Sequence, residues 1–381
     1  MAITFISIPK QWSPSDNPLS YVFSSNQAFQ ANFSFVVETY LDNQIISTDR
    51  LYPIGIGSSG RAQFDISPFI KNRINGATLT NDLFKDSQTW GKIKIKVTES
   101  YGAGPSLQAS LFSSETFAFK CSLPVKEWEG VNFNTQYLRL KWLTKEPNQI
   151  SNILMTQDVP LSMLIGTVLA APTCTIRIYD INSVLLDTEV TNNLAEIEIV
   201  QFNLSVANLL VLFGYANFNN VYSFQIQILD EIYQFNYIKD PCYQPVIMYW
   251  LNEFGVFDSF MITHNEIKKH TIESFEYKRQ HGEWVGLDFN FDSTLSGNRV
   301  YSKNIQPKGT LVTGYLTQAL QIWLITSYYS PKVLLGGLAL LDFRAITITN
   351  TASEDGQSRF EELIKEEIQY VDNNSFKSIK V

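Results

Sequence analysis

Three groups of residues in this 381-residue chain have types and spacings that could do chemistry. Gly55-Ile-Gly57-Ser-Ser-Gly60 matches G-x-G-x-x-G, in which glycines let a turn approach a pyrophosphate at a helix N-terminus. That fingerprint needs a helix opening on the glycines and an acidic residue about twenty positions on. Arg61-Ala-Gln-Phe-Asp-Ile66 follows instead and reads as a strand or extended linker, so a flexible surface turn is the better account. The histidines are His264, His270 and His281, with no His-x-His, no His-Glu-x-x-His and no cysteine beside them. No zinc site is expected, and among Lys268, Lys269 and Lys278 they read as surface residues. Asp288-Phe-Asn-Phe-Asp292 puts two carboxylates and an amide on one face of an extended segment. Such a set could hydrolyse a glycoside or, with Asn298, hold calcium. Phe289 and Phe291 on the other face predict ordinary half-buried alternation, which makes the carboxylates a wet outer face. No G-x-S-x-G occurs, and Leu295-Ser-Gly-Asn298 is turn chemistry. No catalytic residue, cofactor or metal is assigned.

Composition narrows the classes. The apolar share of 45% is globular, but the charged share of 17% is low, so the surface must be covered by Asn, Gln, Ser, Thr and Tyr or hidden against other subunits. A net charge of −8 and no basic run longer than two residues argue against nucleic acid as a partner. Cys121, Cys174 and Cys242 are an odd, widely spaced set, which predicts buried thiols in a reducing compartment. Met-Ala-Ile-Thr-Phe-Ile-Ser-Ile-Pro9 lacks a basic leader region, so no signal peptide is expected. The apolar windows Val159 to Ile178 and Leu209 to Phe218 are interrupted by Pro160, Pro172 and Gly214 or are too short to span a bilayer. A soluble protein made in the cytoplasm, with no membrane partner, is the expectation.

The elements available to position side chains are short strands. From Phe33 to Val371 the chain alternates apolar and polar residues, rich in Phe, Tyr, Ile, Thr and Asn. Residues 1–120 read as an N-terminal β-sandwich. Phe33, Phe35 and Val37 alternate with Ser34 and Glu38, Asp42-Asn43 turns the chain, and Ile45 to Leu51 returns. Ile93, Ile95 and Val97 alternate with Lys92, Lys94 and Lys96, a row of lysines that also discourages edge pairing. Leu107 to Phe119 predicts a further hairpin, and Ser67 before Pro68 predicts a helix over about 68–74 capped by Ser67.

Residues 121–240 read as a second β domain, with strands at 137–143, 174–180, 195–202, 222–229 and 232–237. Turns are legible at Asp180-Ile-Asn182-Ser183 and Asp230-Glu231. Asp240-Pro241 opens a C-terminal β domain, residues 241–381. It holds an aromatic hairpin, Pro245 to Thr263, turning at Asn252 to Gly255, and a long alternating run from Glu266 to Trp284. Leu316, Leu320, Trp323 and Leu324 form one apolar stripe, predicting an amphipathic helix over about 316–329 that ends at Ser330-Pro331. Strands follow at 332–335 and 344–349, then 360–371, whose charge predicts a largely exposed closing strand. The fold class is all-β, a multi-domain β-sandwich protein with one or two short helices.

At Trp250-Leu-Asn-Glu-Phe-Gly-Val-Phe-Asp-Ser-Phe260 the chain resembles a family of virion structural proteins from tailed phages of Bacteroidetes hosts, found among flavobacterial and crAss-like phages. Similar segments are Pro14-Ser-Asp-Asn-Pro18 ahead of Phe33-Ser-Phe35, Gly60-Arg-Ala-Gln-Phe-Asp-Ile-Ser-Pro68 and Leu324-Ile-Thr-Ser-Tyr-Tyr-Ser-Pro-Lys-Val333. The family pattern usually has a second glycine where Val256 stands. The resemblance implies a building block of the tail, tail tip or neck, resident in the virion after synthesis in the host cytoplasm. Its expected partners are itself, as a symmetric ring, and other virion tail or neck proteins.

The residues expected to carry structure and assembly are Trp250, Leu251, Asn252, Gly255, Phe257, Asp258 and Phe260 in the hairpin, with Tyr328 and Tyr329 as a subunit contact. A carbohydrate-binding module for host attachment is the alternative, because exposed Trp and Tyr (Trp128, Trp250 and Trp284 are candidates) stack on sugar rings. A glycan-degrading enzyme is a third reading and would need Asp288 and Asp292 to face a cleft.

Overall fold

Alternation and turn chemistry decide the first layers. In the computed structural model the described residues are 3–54, 60–123, 141–165, 172–191, 194, 199–239, 245–263, 266–279, 282–291, 297–336, 343–350, 363–373 and 376–377. The protein is all-β, with three short α-helices among these residues. Its contacts define two compact units, Met1–Lys239 with Leu251–Ser259, and Asp240–Trp250 with Phe260–Val381.

The first unit opens with two sheets around one core. One is β1 (Ile3–Ser7), β3 (Ser20–Ser25) and β6 (Gly60–Asp65), in the order β1-β3-β6. The other runs from β2 (Trp12–Pro14) through β10 (Thr116–Phe119), β8 (Trp90–Tyr101) and β4 (Ser34–Leu41) to β5 (Gln44–Leu51). Tyr21, Phe23 and Phe64 from the first meet Phe35, Val37, Ile93, Ile95 and Val97 from the second, all buried. Asp42 and Asn43 turn β4 into β5 at φ 49° and 65°, the left-handed values that a tight hairpin requires.

Three expectations for this region are corrected. β9 (Ser106–Phe112) and β10 do not pair with each other. Both run antiparallel to β8, β9 along Lys96 to Tyr101 and β10 along Trp90 to Ile93. The lysine row therefore sits on a central strand and needs no edge-protection role. It serves a wet face, where Lys96 pairs with Glu38 at 2.9 Å. The helix is a single turn, α1 (Ser67–Ile70), with Ser67 inside it. The N-cap position is Ile66, which makes no side-chain capping bond, and the Asp65 carboxylate accepts from the Ser67 N–H at 3.0 Å and from the Leu19 N–H at 2.8 Å.

The rest of this unit holds two further sheets. β11 (Lys141–Trp142), β13 (Pro160–Leu164), β16 (Ile199–Asn203) and β7 (Phe84–Asp86) are ordered β11-β13-β16-β7. β12 (Ile150–Leu154), β18 (Glu231–Ile238), β17 (Ser223–Ile228), β14 (Cys174–Tyr179) and β15 (Leu185–Thr191) follow one another in the second. Met163 and Phe202 from one, with Ile176, Ile178, Phe224 and Phe235 from the other, share a core that also takes Leu209 and Phe213 of α2 (Val206–Phe213). That helix is absent from the sequence-based expectation. The Ser205 hydroxyl accepts from the Asn208 N–H, and Gly214 at φ +67° ends it. The turn after β17 is at Leu229 and Asp230, one residue earlier than expected, with Leu229 at φ 51°.

The second unit is built on an eight-stranded sheet. Its order is β20 (Phe257–Ile262), β19 (Val246–Leu251), β26 (Val333–Gly336), β27 (Arg344–Ile348), β29 (Glu367–Asp372), β24 (Gly297–Val312), β21 (Glu266–Arg279), and β30 (Phe376–Lys377) also pairs with β24. β22 (Gly282–Val285) pairs with β23 (Asp288–Phe291), and β25 (Leu316–Thr317) with β28 (Leu363–Ile364). β29 corrects the exposed closing strand: it lies between β27 and β24 with Ile368 and Tyr370 fully buried. Glu367 and Gln369 alternate with them on the wet face, while Asp372 shares their side and is buried, so the polar residues misrepresented the strand. The amphipathic helix is α3 (Gln318–Ile325), shorter than expected. Leu316 belongs to β25, Thr317 caps the helix, and Thr326–Tyr329 tightens into a 3-10 turn.

Candidate functional site

The aromatic hairpin is paired and buried. Asn252 carries its turn: the side-chain oxygen accepts from the Phe254 N–H at 2.9 Å, and the backbone carbonyl accepts from Gly255 at 3.0 Å. In the first unit the Asn252 amide donates to the Leu143 carbonyl at 2.8 Å, the Ser122 N–H donates to the Glu253 carbonyl at 2.9 Å, and Lys145 pairs with Glu253 at 2.5 Å. Gly255 has φ +70°, and a Cβ there would collide with the Lys120 carbonyl oxygen. Only glycine satisfies both demands. Leu251 closes over Gly76, where a Cβ would lie 2.6 Å from its Cδ2. Phe257 and Asp258 are buried as well.

In the second unit Trp250 is wholly buried. Its indole N–H donates to the Thr326 hydroxyl at 3.1 Å, and its ring lies 5.0 Å from that of Trp323. Phe260, half-buried, meets Trp323 edge-on at 6.1 Å. These side chains are used in packing. Tyr328 and Tyr329, expected to act together, part company. Tyr328 packs on the core and donates its hydroxyl to the buried Glu366 at 3.1 Å, whereas Tyr329 is 83% exposed.

The candidate chemistry disperses. Gly60 lies in β6, where a Cβ would meet Ala28 and Pro53 within 2.6 Å, so close packing accounts for this glycine; Gly55 and Gly57 lie outside the described residues. His270 is exposed on β21, and His264 and His281 lie outside the described residues, as do Trp128, Cys242 and Asp292. Cys121 and Cys174 are buried free thiols. Among the described residues no group of three His, Cys, Asp or Glu could hold a metal ion. Asp288 stands on an exposed hairpin, and Phe289, expected to be half-buried, is 42% exposed. One carboxylate pair in the first unit was not foreseen. Burial, then the negative charge of Asp258, pushes the Glu146 carboxyl well above its ordinary range, against the pull of a Ser151 hydrogen bond. The Tyr233 hydroxyl donates to it. Glu146 and Asp258 are 112 positions apart, so no local pattern could announce them.

The surface feature with the greatest reach is the ribbon of β21 and β24. Its 14- and 16-residue strands extend about 45 Å or more at 3.3 Å per residue. β24 is held by β29 along Lys308 to Val312 and by β30 at Asn304 and Ile305. Farther out, Phe275 to Arg279 and Gly297 to Ser302 have only each other as strand partners among the described residues. Ile267, Ile272, Phe275 and Tyr277 are each about half exposed or more, between 47% and 56%. β22 and β23, which lie between β21 and β24 in the chain, form a separate two-stranded sheet that turns at Gly286, φ +68°, with Trp284 69%, Val285 57% and Leu287 96% exposed. The Trp284 and Phe289 rings sit 5.3 Å apart. The run was legible as a strand, and its exposure had a signal. Apolar residues occur at both parities, Ile267 and Phe275 against Ile272, so neither face is a clean core face.

The ribbon's base is fixed. Glu266, at the start of β21, accepts from Arg344 and from the Tyr370 hydroxyl, and Lys268 lies 3.3 Å away. Burial works against the Glu266 charge, but these partners hold its carboxyl below the ordinary range.

No family model matches the chain, and no curated protein matches it. Among solved structures it is similar to one described as a biofilm associated protein, BSP domain, at 7% identity and a TM-score of 0.17. That similarity covers 81% of this chain and 63% of the other, so the chain spans less than two thirds of that structure's length. A likeness at this level decides nothing about fold or function.

Proposed function

We propose that the chain is a non-enzymatic structural subunit of a phage virion that assembles with itself into a ring in the tail, tail tip or neck. The observation that carries the reading is β21, exposed on both faces along nearly all of its length, together with the β22–β23 hairpin that follows it in the chain and holds three apolar side chains in water. Monomers rarely leave such surface uncovered, and apolar residues so placed mark interaction sites. The low charged share and the resemblance at Trp250 to Phe260 point the same way. Other tail or neck proteins are the further partners. Mass photometry and electron microscopy of the purified protein and of virions test this. Closed rings, with the chain present in virions, are expected; a strict monomer absent from virions overturns it.

Trp284 favours one alternative. An exposed indole beside Phe289 suits stacking on a sugar ring, as in a carbohydrate-binding module for host attachment. Specific binding on a glycan array, abolished by Trp284→Ala, would favour that module over a scaffold.

A further inference from the structure

We propose that Asn75 and Gly76 form a self-modifying site. The backbone nitrogen of Gly76 closes on the Asn75 side chain, converts it to aspartate and isoaspartate, and so loosens the hairpin tip docked beside it.

The pair lies in the first unit between two fixed points. On one side the Ile74 N–H donates to the Ile70 carbonyl at 3.2 Å, just past α1. On the other the Ala77 N–H donates to the Gly255 carbonyl at 2.8 Å. The Thr78 and Thr80 carbonyls then accept from the Gln201 and Asn203 amides at 2.8 Å and 2.6 Å. Among the described residues, Asn75 and Gly76 make no hydrogen bond of their own, and Asn75 is exposed. The amide and the nitrogen that must meet are therefore not held apart.

Ring closure also wants a residue after the asparagine with no side chain to crowd its nitrogen. Asn75-Gly76 is the one Asn-Gly pair in the chain. Its glycine has a separate reason to be there, because a Cβ at Gly76 would lie 2.6 Å from Leu251 Cδ2. Docking of the hairpin tip demands the glycine, and the glycine leaves the asparagine labile.

The step balances with water alone. The Gly76 nitrogen attacks Cγ of Asn75, and the new N–Cγ bond closes a five-membered succinimide. The amide nitrogen leaves as ammonia, taking the proton that Gly76 gives up. Water then opens the ring, its hydroxyl going to a carbonyl carbon and its proton to the nitrogen. Attack at Cγ restores the original main chain with an aspartate side chain. Attack at the backbone carbonyl carbon breaks the original peptide link, and the main chain now runs through Cβ and Cγ as isoaspartate. That product lengthens the path from Ile74 to Ala77 by one carbon. The misfit falls on the Ala77–Gly255 bond and on the Leu251 contact, which hold the tip in place.

Asn182-Ser183 supplies the contrast. It is exposed too, but the Ser183 N–H donates to the Asp180 carbonyl at 3.1 Å, which withholds the nitrogen.

The test ages the full-length protein at pH 8, native and in urea, and maps its peptides by mass spectrometry. The native protein should gain about 1 Da at Asn75, as two isomeric peptides, while Asn182 stays intact. Conversion should be slower at pH 6, where less of the nitrogen is deprotonated. In the isoaspartyl fraction, separated by ion exchange, the Ala77 amide should exchange its hydrogen about tenfold faster or more than in fresh protein. Asn75→Gln, whose side chain would have to close a larger ring, should keep its mass and its exchange under the same ageing. Conversion confined to the urea sample overturns the proposal, because the fold then holds the pair in an unreactive geometry. Conversion in neither sample, or at Asn182 ahead of Asn75, overturns it as well. An isoaspartyl form that exchanges like fresh protein overturns the loosening of the tip.

Discussion

The ring of Tyr370 fills the space that a side chain at Gly309 would occupy. The two residues face each other across β29 and β24, and a Cβ on Gly309 would come closer to the ring than real Cβ atoms do. The bare backbone lets the tyrosine cross β24 and reach Glu266 on β21 with its hydroxyl. A strand-interior glycine here is a clearance for a side chain that ties three strands. Gly309→Val should therefore cost about 2–4 kcal/mol and speed amide exchange along β21. Tyr370→Phe keeps the ring and loses one hydrogen bond, so it should cost about 1–2 kcal/mol. Hydrogen exchange read strand by strand, alongside urea melts, checks both. Equal effects would refute the clearance argument.

Gly255 faces a stricter constraint. A left-handed backbone and the nearby Lys120 carbonyl together predict that Gly255→Ala costs about 2–4 kcal/mol. Gly214, also left-handed but with open space around it, should tolerate alanine at about 1 kcal/mol. Urea denaturation of the two variants separates strain from collision.

Trp250→Ala should lose about 3–5 kcal/mol, the ordinary cost of emptying a buried indole site. Tyr329→Ser should stay within about 0.5 kcal/mol of the wild type, because the ring is in water. Tyr328→Ser should not, since it strips packing and a hydrogen bond from buried Glu366. Thermal melts of the single variants check the contrast.

Stability should carry two carboxylate signatures of opposite sign. Glu146 binds its proton more tightly folded than unfolded. Its penalty is absent below the unfolded pKa of about 4.3 and grows as pH rises through the folded value. Glu146→Gln, which still accepts from Tyr233, should raise the melting temperature at neutral pH and gain nothing near pH 4. Glu266 is held below its ordinary range, so its stabilisation is present above the unfolded pKa and is lost as pH falls through the folded one. Glu266→Gln should destabilise at neutral pH and converge with the wild type in acid. Melts across pH 3 to 8 read both, and a pH-independent Glu146→Gln difference would contradict the first.

The strands were legible wherever one face is buried and the other wet, because the alternation of Ile93, Ile95 and Val97 with Lys92, Lys94 and Lys96 has one reading. The Asn252 turn was legible because its residues are chosen for local backbone geometry. The α2 helix was not: its residues are almost all apolar, so a strand, a helix and a buried loop share the pattern, and only Ser205 and Gly214 mark its ends. Pairing was misread at β9 and β10, since closeness in sequence suggests a hairpin while a longer strand, β8, accommodates both along one side. Glu146 with Asp258, and Glu266 with Tyr370, depend on partners far away in sequence. Burial at such sites is set by the fold.

The first unit includes Leu251–Ser259, residues that follow its last strand in the chain. During translation the carbonyl of Leu143, the Ser122 N–H and Lys145 wait for partners that leave the ribosome more than a hundred residues later. A fragment ending at Lys239 would lack them all. The first unit therefore matures only after part of the second has been synthesised, and dividing the gene between the two would yield an incomplete product on the N-terminal side.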